Sequence, residues 1–327
     1  MSNELVLVTG GSGFLGAHCI NVLLAQGYRV RTTVRDPGKS VDVPAGVRVF
    51  ATELANDAGW DEAVAGCDFV LHTASPFPLV APEHEDDLII PASAGALRVL
   101  RAAHAAGVKR VVLTSSFAAI GYGNDPHPEI FTEADWSNPT AEIGAYPKSK
   151  TLAERAAWDF VAGAGAGLEL ATVNPVAIIG PVLGPRLSTS IQLVQRIVAG
   201  RMPGLPKVSM PLVDVRDVAE LHVLALTAPH AAGQRFIATA GAPVSLQEMA
   251  RILRDRLGAK VPSLSLPDWL IRLAARRMPE LGDLVPRLEV IKQPSSAKAK
   301  TELGWRPRPV GDSLVETVLS LKRFDLL

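Results

Sequence analysis

A short, wholly apolar run, Leu5-Val6-Leu7-Val8, breaks into Thr9-Gly10-Gly11-Ser12-Gly13-Phe14-Leu15-Gly16 and then into residues 17–26, whose apolar positions recur at helical spacing. Strand, glycine turn and helix in that order leave few folds open, because a strand without polar alternation must be covered on both faces. The three spaced glycines differ in what they allow. Gly10 permits the tight turn, Gly13 lets backbone approach a pyrophosphate, and Gly16 lets the helix pack on the strand. The helix N-terminus then offers unpaired N–H groups and positive potential to that anion.

After Gly27 the segment 29–34 reads as a second strand, with Arg29, Arg31 and Thr33 outward and Val30, Thr32 and Val34 inward. Its tip is informative, because a carboxylate there suits the ribose hydroxyls of NAD, whereas an arginine pairs with the extra phosphate of NADP. This chain has Arg35 followed by Asp36. Arg35 is read as the phosphate ligand with Lys39 as a second cation, and a solvated Arg-Asp-Pro turn is the alternative.

Further strands are expected near Val47, Phe69, Val111 and Leu170, alternating with helices, which implies a parallel, doubly wound α/β sheet. Ligands of such a sheet sit at the strand carboxyl ends. Those ends carry Thr9-Gly10, Arg35, His72-Thr73-Ala74-Ser75-Pro76, Thr114-Ser115-Ser116 and Asn174-Pro175. The expected division is a dinucleotide-binding domain over 1–175 and a smaller substrate lobe over 176–327, with strands near 208–213 and 235–238 extending the sheet. Lobe helices are expected over 190–199, 215–226, 246–257, 269–277 and 311–323.

Tyr146 and Lys150 lie four residues apart in Tyr146-Pro147-Lys148-Ser149-Lys150, so on a helix they share a face. A free phenol titrates near ~10, and bringing it to about 7 for proton transfer takes roughly 4 kcal/mol of differential stabilisation. The Lys150 ammonium, helped by an oxidised nicotinamide, is the expected source and favours the phenolate. The same spacing also suits an ordinary amphipathic helix.

With 48% apolar and 20% charged residues, the 327-residue chain can bury a large core. Thirty-three basic and 33 acidic residues cancel, which removes the footprint of a nucleic-acid binder and favours a small-molecule partner. The N-terminus has no basic segment leading into a long apolar run, and no later window reads as a membrane span, so a cytoplasmic location without membrane contact is expected. Cys19 and Cys67 read as buried free thiols. His84 among Glu83, Glu85, Asp86 and Asp87 reads as a charged helix start rather than a metal cluster, and no metal is expected.

Together, Val8 to Gly16, Val34-Arg35-Asp36-Pro37, Gly66-Cys67-Asp68, His72 to Pro76, Val112 to Ser116 and Tyr146 to Glu154 resemble the extended short-chain dehydrogenases/reductases, in particular the dihydroflavonol reductase-like group. The resemblance covers most of the chain and implies a Rossmann-type fold. It implies Ser116 as the hydroxyl that meets the substrate carbonyl, Tyr146 as general acid, and Lys150 as the residue that binds the nicotinamide ribose and tunes Tyr146; Ser115 reads as a strand-end turn. It further implies Phe14 and Leu15 among the cofactor-binding residues, Thr73 and Ala74 beside the nicotinamide phosphates, Glu53 and Leu54 near adenine, Pro175 and Ile178 against the nicotinamide ring, and Ser190 at the carboxamide. Glu53 stands where an aspartate is more usual, Pro175 also suits a rigid strand exit, and Ser190 also suits a helix N-cap.

Where the flavonoid reductases carry an asparagine five residues past the catalytic serine, this chain has Gly121. Phe77, Pro78, Phe117, Ile120 and Tyr122 are read instead as an apolar pocket for an aromatic or branched aldehyde or ketone, with plain core as the alternative. The expected activity is NADPH-dependent carbonyl reduction. Its rivals are an NAD-dependent nucleotide-sugar epimerase or dehydratase, a hydroxysteroid or cinnamoyl-thioester reductase, and a dinucleotide-sensing regulator without catalysis. Homodimers are common in the wider family, and the sequence shows no interface stripe.

Overall fold

In the computed structural model, β1 (Leu5–Thr9) is buried at every residue, as a strand covered on both faces must be. Residues 3–36, 38, 43–76, 82–124, 126, 128–276, 285, 288 and 290–327 are described. Around β1 run β2 (Arg29–Val34), β3 (Arg48–Ala51), β4 (Phe69–His72), β5 (Arg110–Thr114), β6 (Glu169–Pro175) and β7 (Arg235–Ala238). They form one parallel sheet in the order β7-β6-β5-β4-β1-β2-β3, with Val6 opposite Val30 on one side and Phe69 on the other. The chain leaves β1 toward one edge and returns to β4 on the other side. The crevice at the carboxyl ends of β1 and β4 is therefore the topological switch point where α/β sheets hold ligands.

The two-residue period of β1 divides the core. Val6 and Val8 face a cluster holding Cys19, Ile20 and Leu23 of α1 (Phe14–Ala25) with Val218, Leu221 and Ala225 of the later helix Val215–Thr227. Leu5 and Leu7 face the opposite cluster, with Trp60 of α2 (Trp60–Val64), Val99, Leu100 and Ala103 of α3 (Asp86–Ala105) and Ala157 of α4 (Ala145–Ala162). Helices on both faces explain why the strands read as apolar runs. They also explain Thr33, expected to point outward and in fact 2% exposed: the glycine turn folds over it, and its carbonyl accepts from Gly10 and Gly11 N–H.

A third cluster lies in the C-terminal part, where Ile191, Val194 and Ile197 of α5 (Thr189–Val198), Met249 and Leu253 of α7 (Leu246–Leu257) and Leu314 and Val318 of α10 (Val310–Arg323) pack together. Among the described residues three further helices follow: α6 (Val215–Thr227), α8 (Asp268–Ala275) and α9 (Ala297–Glu302). The 235–238 strand does extend the sheet, as its edge β7. The 208–213 stretch does not. Pro211 lacks the N–H that would carry a ladder through, so the stretch splits: Ser209–Met210 pairs with Val244–Ser245, and Leu212–Asp214 pairs with Ala177–Ile179.

Two smaller expectations are met. Cys19 and Cys67 are buried free thiols, and Asp86 and Asp87 open α3, with Leu88, Ala92, Ala96 and Leu100 buried along it. Among the described residues no group of His, Cys, Asp and Glu is placed to hold a metal, and no helix is long and apolar enough to cross a membrane.

Candidate active site

Gly10 takes φ +71°, and a Cβ on it would lie 3.1 Å from Ala74 Cα, so the β1 and β4 exits touch across the crevice. A Cβ on Gly16 would stand 2.4 Å from the Gly10 carbonyl oxygen, which is the close helix-to-turn packing expected of that position. A Cβ on Gly13 would meet only that same oxygen, at 3.1 Å. Gly13 is also the N-cap of α1 and brings no side chain to satisfy the first N–H groups. The turn thus presents bare backbone and an uncapped helix N-terminus, which fit a dinucleotide pyrophosphate. Phe14 and Leu15 form the first helical residues behind it.

The opposite wall comes from the β4 exit. Thr73 Oγ1 donates to the Thr9 carbonyl at 2.6 Å, and the Ala74 N–H donates to Thr9 Oγ1 at 3.1 Å, so both expected phosphate-side residues are tied to the glycine turn. Arg35 is exposed at the tip of β2 and forms no ion pair among the described residues. Asp36 accepts from Gly38 N–H at 3.0 Å, closing its own turn. Lys39 lies outside the described residues, as do Phe77 and Pro78. The Glu53 carbonyl receives the Trp60 indole N–H at 3.2 Å, and Leu54 packs against Gly95 of α3, whose added Cβ would lie 3.0 Å from the leucine Cβ.

Ser116, Tyr146 and Lys150 come together. Ser116 follows β5, is 8% exposed, and its Oγ accepts from Ala118 N–H at 3.1 Å. It shares a hydrogen bond with the Tyr146 phenol, which is held at the start of α4. Lys150, one turn further along α4, puts its Nζ 5.9 Å from the Tyr146 ring centroid and donates to Ser75 Oγ at 2.9 Å. Burial lowers the ammonium to about 8, opposed by the negative charge of Glu154.

Burial pushes the Tyr146 phenol above the ordinary tyrosine value, and the hydrogen bond with Ser116 opposes this. Without a bound nicotinamide the phenol is thus protonated near neutrality.

The remaining residues divide. Pro175 ends β6 buried beside Ala238 of β7, and Ile178 follows in the next short strand. Ser190 donates to the Ile178 carbonyl, which brings two expected nicotinamide contacts together, and the N-cap of α5 is Ser188 rather than Ser190. The apolar pocket needs correction at two positions. Ile120 is fully buried in the core, and Phe117 packs edge-on to Phe131 with centroids 5.5 Å apart. Both rest in the core because the short 117–119 helix turns inward at Ser116. The Phe117 ring also accounts for Gly121, where an added Cβ would meet Phe117 Cζ at 2.4 Å. Tyr122 remains half-buried, with Lys292 Nζ 3.1 Å from its ring centroid.

Several residues do work at the site that the sequence did not assign to them. Ser115, read as a turn residue, donates its hydroxyl to the buried Glu154 carboxylate. His72 binds Thr9 Oγ1 through Nδ1 at 2.8 Å, and burial with the nearby Lys150 charge lowers it to about 3, so it stays neutral. Arg186, from the loop before α5, reaches back to Ser12 Oγ of the glycine turn at 3.4 Å. Glu154 closes the run Tyr146 to Glu154 and lies four residues after Lys150, and these are the signals that could have singled it out.

Residues 6–238 match the NAD dependent epimerase/dehydratase family. The chain is 36% identical to cinnamoyl-CoA reductase CAD2 of Medicago truncatula, over 98% of this chain and 96% of that protein. It is 34% identical to an anthocyanidin reductase of Vitis vinifera, over 80% of this chain and 84% of that one. Among solved structures it resembles yeast methylglyoxal/isovaleraldehyde reductase Gre2 complexed with NADPH, with a TM-score of 0.82 and 26% identity over 99% of this chain and 100% of that one.

Proposed function

The chain belongs to the NAD dependent epimerase/dehydratase family of extended short-chain dehydrogenases/reductases, and from that premise we propose that it is an NADPH-dependent reductase of aldehydes or ketones. The observation that carries the reading is the meeting of Ser116, the Tyr146 phenol and Lys150 beside a bare glycine turn at the sheet's switch point. When bound, NADPH supplies the hydride. The relatives named as reductases, and the similar structure that holds NADPH, support an oxidoreductase with that cofactor.

The chain's own residues then have definite work. Negative charge grows on the carbonyl oxygen as hydride reaches its carbon, and hydroxyls of Ser116 and Tyr146 aimed at one point stabilise that charge more than the neutral carbonyl. Tyr146, protonated near neutrality, gives its proton to the oxygen. Lys150 holds the cofactor ribose and places positive charge near the phenolate left behind. Arg35 takes the phosphate that distinguishes NADPH from NADH.

The reading is tested by a panel of aldehydes, diketones and aryl ketones followed at the NADPH absorbance and repeated with NADH. The expected result is oxidation of NADPH by at least one carbonyl class, with NADH slower. Retained NAD in the purified protein, with no NADPH consumed by any carbonyl, would overturn it.

A further inference from the structure

Glu154 is 1% exposed, and five donors meet its carboxylate. Oε1 accepts from Arg235 Nε at 2.7 Å, Thr172 Oγ1 at 3.1 Å and Trp158 Nε1 at 3.4 Å, while Oε2 accepts from Asn174 Nδ2 at 2.7 Å and from Ser115 Oγ. An ionised carboxylate has about four lone-pair sites, so the group is saturated. A plain buried ion pair would need Arg235 alone. Here four of the donors come from three adjacent strands, Ser115 at the β5 exit, Thr172 and Asn174 in β6 and Arg235 in β7, and meet on the helix that carries Tyr146 and Lys150, which supplies Trp158 as the fifth.

The connections lead into the site at two points. Asn174 Nδ2, besides holding Glu154, donates to the Ser116 carbonyl at 3.2 Å, and Ser115 is the neighbour of Ser116 in the chain. Glu154 is one helical turn from Lys150, on the same face of α4, and both line one small internal cavity with His72, Ser75 and Ser115. Arg235 is itself fixed: it donates to the Glu133 and Asp135 carbonyls, both at 2.8 Å, and its guanidinium lies 3.7 Å from the Trp136 ring centroid.

We infer that Glu154 is a positioning residue for the reduction: through Asn174 and Ser115 it fixes the strand end that presents Ser116, and its negative charge, one turn along the helix, stabilises the Lys150 ammonium. This rests on the proposed role of Lys150. The charged and polar groups around Lys150 are His72 and Ser75 from β4 and its exit, Thr114 and Ser115 from β5 and its exit, and Tyr146 and Glu154 from its own helix; Ala92 and Ala96 of α3 bring no charge. His72 is neutral over the whole working range. Among the described residues that line this cavity Glu154 is thus the one anion, and its charge opposes the fall that burial imposes on the ammonium.

The test is an NMR titration of 13C-labelled lysine side chains, read at Lys150, in the wild type and Glu154→Gln. The wild-type midpoint is expected near 8, and Glu154→Gln is expected to lower it by about one pH unit, since removing a facing anion favours the neutral amine. The alkaline limb of kcat/KM should move down with it, and a purely structural role for Glu154 would move neither. If Glu154→Gln does not fold, Glu154→Asp, which keeps the charge and draws it back by one methylene, should lower the midpoint by a smaller measurable amount. An unchanged Lys150 midpoint in the folded variant overturns the inference. The titration needs no turnover, so it decides the role of Glu154 even if no carbonyl is reduced, whereas a missing NADPH reaction with a shifted midpoint would overturn only the reductase reading.

Discussion

A phenol that serves as an acid must be protonated before the reaction and able to lose its proton during it, and burial beside Ser116 meets the first condition at Tyr146. Tyr146→Phe removes the transferable proton and little else. It is expected to lower turnover by roughly 10²-fold or more, while NADPH binding measured by fluorescence stays near wild type; undiminished turnover would remove the residue from the mechanism. At the other end of the cleft, Arg35→Ala is expected to raise KM for NADPH at least about tenfold, the equivalent of one lost charge-assisted contact, and to leave KM for NADH nearly unchanged. Equal effects on both would contradict the phosphate role. Lys150 carries a stability cost, because its native value of about 8 lies below its ordinary 10.5. Between those values the unfolded chain binds more protons at this site than the native one, so the site's contribution to stability rises with pH across that window and is least favourable below about 8. Lys150→Met should therefore raise stability in urea at pH 7, by up to about 3 kcal/mol, while abolishing turnover. A destabilised variant would mean that the ammonium's contacts outweigh its burial.

Among elements, the glycine turn and the start of α1 are closely packed. A Cβ on Gly16 would come within 2.4 Å of backbone rather than of a flexible side chain, so the turn rather than a rotamer would have to yield. Gly16→Ala is expected to cost about 1–3 kcal/mol by overpacking and to weaken NADPH binding, as urea denaturation and cofactor titration would show; an unchanged Kd would mean that the turn does not set the cofactor site. This element was legible because each glycine has a steric reason visible in the chain, and β1, β4, β5 and β6 were legible because strands buried on both faces leave apolar runs. The 208–213 strand was misread because an apolar run shows burial without showing its partner, and Pro211 splits it between two pairings. Phe117 and Ile120 were misread for a related reason: apolar residues after a serine at a strand end can face a pocket or the core, and only the inward turn after Ser116 decides. Glu154 carried no signal beyond its spacing and its place at the end of the run Tyr146 to Glu154, since its donors Thr172 and Arg235 lie 18 and 81 residues away.

Over the whole molecule, the sheet order brings distant stretches of chain to one crevice. The glycine turn follows β1, Arg35 β2, Thr73 and Ser75 β4, and Ser116 β5, while α4 lies across the face of the sheet with Tyr146 and Lys150 at its N-terminal end. The C-terminal part adds Ile178, Ser190 and Arg186, the last touching the turn at Ser12. A reductase differs from a family member that returns the hydride to its own substrate in one respect: the electrons leave with the product. The most direct test supplies NADPH carrying deuterium at nicotinamide C4 together with a carbonyl substrate and locates the label by mass spectrometry and NMR. The predicted result is deuterium on the carbinol carbon of the alcohol formed by the wild type, and at least about 10²-fold less labelled product per unit time from Tyr146→Phe. Unlabelled product, or NADPH left intact with every carbonyl tried, would contradict it.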